Sequence, residues 1–303
     1  MTRLVVVAGV RALAAVVLGA ALVLAAVSPA PALTIVDMLG REVTLAASPR
    51  RIISLVPSAT ELIFALGGEE RLVGRTDYCD YPEAAKTKPS VGGMISPSLE
   101  TIVALKPDVV IATTSGNREE TFTKLTQIGI PVYAIHAHRI AEVLEVTARL
   151  GELTGRQAAV TTLVAEFERR LRAVTDAVRA YRRPRVLYVV WPDPLLVPAR
   201  DAIVTELIGL AGGDSITAGE RGDYPRFSIE AAVARGPEVI MLARHGTGTG
   251  PMARDKWDRL TSLPAVKAGR IHPVDGNLMH RYGLRLLDGV EGLARAIHPE
   301  AFR

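Results

Sequence analysis

Disulfide chemistry is closed to this chain, because Cys79 is its only cysteine and a lone thiol has no partner within the molecule. Stability must therefore come from packed cores, and at roughly 150 residues per domain the length allows about two of them. A strong excess of one charge is also missing. The 36 basic and 32 acidic residues leave a formal charge of +4, too weak a balance to point to nucleic acid. The usual enzymatic signatures are absent as well: no Gly-x-x-x-x-Gly-Lys phosphate loop, no Gly-x-Ser-x-Gly nucleophile elbow and no His-Glu-x-x-His. If ATP drives the function, another subunit hydrolyses it. Cys79 has no histidine near it in sequence and reads as a packed thiol rather than a nucleophile.

Long apolar runs are scarce too, with one exception at the start. Leu13 to Val27 follow Arg3 and Arg11, and Ala30-Pro31-Ala32 supplies the small-residue pattern of a cleavage site. This is the layout of a secretory signal peptide over residues 1–32. An uncleaved anchor is the alternative, but the run falls short of the roughly 20 residues that span a bilayer. No cysteine near the cleavage site offers a lipid attachment point, so the expected product is an unanchored periplasmic protein. Without the leader, 34 basic and 32 acidic residues remain.

What the chain does contain is an internal duplication. Ser98-Leu99-Glu100 and the residues up to Ala112 align without a gap on Ser228-Ile229-Glu230 and the residues up to Leu242. Both read as a serine cap, a short helix with glutamate in its first turn, a proline stop at Pro107 or Pro237, and an apolar strand. A second echo pairs Thr60-Glu61-Leu62-Ile63 before Gly67-Gly68 with Thr205-Glu206-Leu207-Ile208 before Gly212-Gly213. The expectation is an α/β fold of two similar lobes, each with a mostly parallel sheet, over residues 33–154 and 185–303. Between them, no Gly or Pro interrupts Arg156 to Arg183, and Val160, Leu163, Val164, Phe167, Leu171, Val174, Val178 and Tyr181 keep to one helical face. Residues 155–184 are therefore read as a strut about 40 Å long between the lobes. Such a strut limits ligand-driven lobe movement, leaving the Gly- and Thr-rich stretch 246–250 as a candidate mobile rim.

Ligands of parallel sheets bind beyond the carboxyl ends of the strands, which directs attention to the loops there. Tyr78 lies in one such loop, Trp191 follows Val186 to Val190 in the other half, Tyr224 precedes the second Ser-Φ-Glu unit, and Arg281 and Tyr282 follow the strand Ile271 to Val274. Aromatics on both sides of a cleft suit a flat, amphipathic ligand. His136 and His138 follow the strand Pro131 to Ile135 and are spaced to share a metal on an extended backbone. A closed zinc site needs four ligands, however, and the remaining histidines are scattered, so the pair is read as lying on the surface or at the lobe interface.

These segments resemble the helical-backbone substrate-binding proteins of ABC importers for cobalamin, siderophores and haem, and within that class the vitamin B12-binding proteins most. The resemblance is carried by Arg51 to Gly68, Asp77 to Pro82, Val91-Gly92-Gly93, Ser98 to Ala112, Ser228 to Ala243 and Gly283 to Leu286. It implies a monomeric, non-enzymatic protein without a resident cofactor. Cobalamin would be its transported ligand, delivered to a permease dimer with its ATPase subunits. Tyr78, Tyr224 and Arg281 match ligand-contacting positions of cobalamin binders, whereas Met94 and Thr113 stand where the best-matching binder has tryptophan. Glu100 and Glu230 match the positions that meet arginines of the permease. A ferric siderophore is the alternative cargo, with Arg75, Arg118, Arg221 and Arg281 as candidate contacts. Haem is disfavoured, because no tyrosine follows Val91-Gly92-Gly93.

Overall fold

In the computed structural model, which describes residues 33–244 and 254–303, the apolar runs bounded by proline and glycine become the interior strands of two sheets. The first lobe runs through β1 (Leu33–Val36), β2 (Glu42–Leu45), β3 (Ile52–Ser54), α1 (Pro57–Ala65), β4 (Leu72–Arg75), α2 (Leu99–Ala104), β5 (Val109–Thr113), α3 (Glu119–Gln127), β6 (Val132–Ile135) and α4 (Ile140–Thr154). One long helix, α5 (Gln157–Val178), leads out of it. The second lobe contains β7 (Arg185–Val189), β8 (Trp191–Pro192), β9 (Leu195–Leu196), α6 (Ile203–Leu210), β10 (Asp214–Ser215), α7 (Ile229–Arg235) and β11 (Val239–Arg244). It ends with α8 (Arg254–Asp258), α9 (Pro264–Lys267), β12 (Ile271–Asp275), α10 (Gly276–His280) and α11 (Leu286–Ile297).

Each lobe holds a four-stranded parallel sheet, ordered β4-β3-β5-β6 in the first and β10-β7-β11-β12 in the second. Both orders are second, first, third, fourth, so the duplicated sequence builds one topology twice. β5 is buried along its whole length and β11 over its first four residues, as strands covered on both faces require. The duplicated caps form as well: the Ser98 and Ser228 hydroxyl oxygens accept from the N–H groups of Thr101 at 3.2 Å and Ala231 at 3.0 Å. Beyond each helix the chain turns through a left-handed residue, Lys106 or Gly236. The acid after each proline then ties the following strand to the first strand of its sheet. Asp108 accepts from the Arg51 N–H at 2.9 Å and Glu238 from the Arg185 N–H at 3.0 Å.

Helix α5 touches both cores. Ala159, Val160 and Leu163 pack on the first lobe, while Phe167, Leu171, Val174 and Val178 join the second. Arg170 fastens the helix to α11 by bonds to Asp288 at 2.7 Å and Glu291 at 2.9 Å. The helix is shorter than its Gly- and Pro-free stretch: it ends at Val178, giving about 33 Å at 1.5 Å per residue. Tyr181 lies past the end, its ring 5.5 Å from that of His298. The leader, residues 1–32, and the Gly- and Thr-rich stretch, residues 246–250, lie outside the described residues. Among the described residues no helix is long and apolar enough to cross a membrane.

A hydrogen bond from Arg182, helped by the Arg185 N–H, holds the Glu238 carboxyl down at about 2 against the pull of burial. A pKa lowered by folding stabilises the native state above the unfolded value and loses that contribution as pH falls through the folded value. Glu238→Gln should therefore reduce stability by roughly 1 kcal/mol at neutral pH and by progressively less below about pH 4.5. Urea denaturation across that range checks the convergence of the two proteins.

Candidate ligand-binding cleft

The strand ends of the two sheets border a cavity of about 850 Å³ between the lobes, where parallel sheets place their binding loops. The first lobe supplies Pro57 and Ser58 after β3, Tyr78 and Asp80 after β4, and Met94 from the next loop. Thr113 to Gly116 at the end of β5 and His136 to His138 after β6 complete that side. The second lobe supplies Asp223, Tyr224, His280, Arg281 and Tyr282. Asn117 fixes the first wall: its side-chain oxygen accepts from the Thr113 N–H at 2.8 Å, and its amide donates to the Met94 carbonyl at 2.7 Å. Two separate loops are thereby held in register.

The second wall is built on phenols. The Tyr224 and Tyr282 hydroxyls are 2.7 Å apart, and Tyr188, buried beneath, lies 3.2 Å from His280 Nε2. Burial pushes the phenol pKa values of Tyr188, Tyr224 and Tyr282 up, so these groups are neutral at physiological pH. On the opposite rim Tyr78 is 61% exposed, leaving its ring free for a ligand.

Charge in the cleft is concentrated at the contact between the lobes. Arg281 donates to Asp80 and, at 3.3 Å, to Glu61. Arg285 donates to the same Glu61 oxygen at 3.2 Å and stacks over the Tyr81 ring at 3.7 Å. Two carboxylates of the first lobe thus neutralise two guanidinium groups of the second. Burial raises the Glu61 pKa more than the two arginines lower it. Asp80 is lowered, chiefly by its hydrogen bond from Arg281. Farther along the lobe contact, the Ile140 N–H donates to Glu206 at 3.0 Å.

Of the residues singled out from sequence, Tyr78, Met94, Tyr224 and Arg281 share this cleft, and so do Thr113 and the histidine pair. Trp191 does not. After β7 the chain turns into the β8–β9 hairpin, and the indole, 49% exposed, donates to the Asp193 carbonyl away from the cavity lining. Arg75, Arg118 and Arg221 are also outside the lining. Arg75 donates instead to the carbonyls of Thr76, Ala85 and Lys86. Cys79 is fully buried, with its sulfur 3.2 Å from the Thr76 hydroxyl. Sequence reasoning passed over Asp223, Asn117 and the interlobe role of Glu61, and took Asp80 only as part of the Asp77 to Pro82 segment. Glu61 left a trace as the counterpart of Glu206 in the second repeat.

Two lobes with matching sheets, joined by a helix rather than a flexible crossover, enclose a ligand-sized cleft at the strand ends. Residues 52–277 match the periplasmic binding protein family, and the chain belongs to it. The chain is 30% identical to the ABC transporter substrate-binding lipoprotein YvrC of Bacillus subtilis, over 89% of this chain and 87% of that one. The crystal structure of the periplasmic vitamin B12 binding protein of Vibrio cholerae superposes with a TM-score of 0.73 at 28% identity, over 84% of this chain and 99% of that one. A periplasmic heme binding protein from Pseudomonas aeruginosa gives 0.74 at 27% identity, over 83% and 93%.

Removing Arg281 strips the Asp80 carboxylate of its partner and leaves Glu61 with Arg285 alone. Arg281→Ala should cost about 1 to 2 kcal/mol, because buried Glu61 loses one of its two partners while half-exposed Asp80 is rehydrated. Chemical denaturation measures the loss; a cost below about 0.5 kcal/mol, as for an ordinary surface substitution, would contradict the assigned role.

Proposed function

We propose that this protein is exported through the leader in residues 1–32, carries no lipid anchor, and binds one cobalamin in the interlobe cleft for delivery to an ABC importer. The observation that carries the choice of ligand is electrostatic. Among the described residues Arg281 is the only arginine or lysine on the cavity lining, and Glu61 and Asp80 already occupy it. An anionic ferric siderophore, or haem with its propionates, would meet Asp80 and Asp223 without a free cation to answer it. A corrinoid with amide side chains presents apolar faces to Tyr78 and Tyr224, and donors and acceptors to the polar groups around them. The V. cholerae relative that binds vitamin B12 supports the same reading. Met94 fills the loop position that would present a tyrosine to haem iron.

Calorimetry with cyanocobalamin should give saturable one-to-one binding. Tyr78→Ala and Tyr224→Ala should each weaken it by about 1 to 3 kcal/mol through lost aromatic contact. Absence of binding together with saturable binding of a ferric siderophore would transfer the assignment to that class, and unchanged affinity in both mutants would move the site elsewhere.

Glu100 and Glu230 are the proposed contacts with the permease dimer. Both are exposed in the first turn of matching helices, and among the described residues neither takes part in an ion pair. A glutamate there stabilises its helix by about 0.3 to 1 kcal/mol without any partner, so stability alone does not separate the two roles. Reversing both charges to arginine should leave cyanocobalamin affinity unchanged and abolish ligand-stimulated ATP hydrolysis by the transporter in proteoliposomes. Undiminished stimulation in the double variant would reduce these glutamates to helix stabilisers.

A further inference from the structure

Two histidines, His136 and His138, follow β6. Both line the cleft, with ring centroids 5.9 Å apart and Ala137 buried between them. Among the described residues no group of three or more His, Cys, Asp or Glu side chains is arranged to hold a metal ion, so a bare ion has no closed site here. A metal that arrives inside a macrocycle is a different case. Its equatorial donors come with the ligand, and one side-chain donor completes an axial position. Scarcity of protein ligands, which rules out the first case, is compatible with the second.

The axial positions of such a chelate lie on opposite faces, and two imidazoles this close on one strand end cannot take both. His136 is the poorer donor: its Nδ1 is buried without a hydrogen-bond partner. The His138 side chain is 44% exposed, and its Nδ1 stands 3.8 Å from a carboxylate oxygen of Asp223 on the opposite lobe. At 3.8 Å the carboxylate is beyond hydrogen-bond distance, but its charge faces Nδ1 and favours the proton there, and a small approach of the lobes on ligand binding would make it the outer-shell partner that leaves the Nε2 lone pair to a metal. The backbone of His138 is anchored by its N–H bond to Glu142 at 2.5 Å.

We propose that His138, oriented by Asp223, ligates the metal of the bound chelate at its exchangeable axial position. The inference rests on the corrinoid reading above. With aquacobalamin the Nε2 lone pair forms a Co–N bond while the Co–O bond to the axial water breaks and water leaves; cobalt stays trivalent, and no proton or electron is transferred. Cyanocobalamin, whose axial cyanide does not leave, binds without this step. The cleft therefore discriminates among corrinoids by the lability of the axial ligand.

The test is visible absorption spectroscopy and equilibrium binding of the purified protein with aquacobalamin and cyanocobalamin in parallel. The expected result is a shift of the aquacobalamin bands towards those of its imidazole adduct and none with cyanocobalamin. His138→Ala should abolish the shift while retaining saturable cyanocobalamin binding, which reports that the variant is folded, and should weaken aquacobalamin binding more than cyanocobalamin binding. Asp223→Asn should weaken aquacobalamin binding by roughly tenfold, the usual scale for losing an outer-shell partner. Cyanocobalamin binding with no aquacobalamin shift overturns the ligation and leaves the corrinoid reading standing. A shift that persists in His138→Ala and disappears in His136→Ala overturns the choice of residue. Failure of both corrinoids to bind overturns the ligation and the corrinoid reading together.

Discussion

A carboxylate taken out of water is stable only if something replaces its hydration. Glu61, 7% exposed, meets that condition at one oxygen only, with groups that its own lobe does not contain, while Oε2 is buried without a partner. Its oxygen accepts from Arg281 and Arg285, both from the second lobe, so neither lobe satisfies its charges without the other. The contact joins the two lobes at the edge of the cleft, where Asp80 and Arg281 are on the lining. It also removes Arg281, the one arginine of the lining among the described residues, from service as a free cation. The shape of the cavity, its near neutrality and the ligand class proposed for it follow from this group of charges.

The duplication gives the contact a symmetric counterpart. Glu61 and Glu206 hold matching places in the repeated Thr-Glu-Leu-Ile segment, and each reaches the opposite lobe, one to two guanidinium groups and the other to the Ile140 N–H. Matching helices start at Ser98 and Ser228, and matching acids, Asp108 and Glu238, anchor the neighbouring strands. With α5 packed on both cores, a large hinge motion would have to break its contacts with one of the lobes as well as the charge cluster.

Much of this was legible in the sequence because it is periodic or local. Caps, proline stops, the apolar strands and the uninterrupted helical face each occupy one stretch of chain, and they specified the two lobes and the strut. The strand-end rule likewise placed Tyr78, Tyr224 and Arg281 at a common cleft. It misplaced Trp191, because a two-residue hairpin strand after β7 turns that loop away. It also could not find Asp223 or Asn117, whose partners lie on other loops and across the lobe boundary. The histidine pair was visible as spacing alone; the cleft around it and the facing carboxylate appear only once both lobes are folded. Helix α5 was read too long because Gly- and Pro-free sequence permits a helix without requiring one.

On the proposed corrinoid reading, neutralisation of Arg281 is what separates this cleft from one built for an anion. In an anion site the guanidinium would face open space and wait for a carboxylate or catecholate; here Asp80 and Glu61 fill that role. The amide-rich macrocycle proposed as ligand would meet the remaining surface of phenols, methionine, threonine and imidazole. The most direct measurement is native mass spectrometry of the protein purified from its own periplasm without added ligand. The account predicts a single bound corrinoid, and a bound ferric siderophore or haem would contradict it.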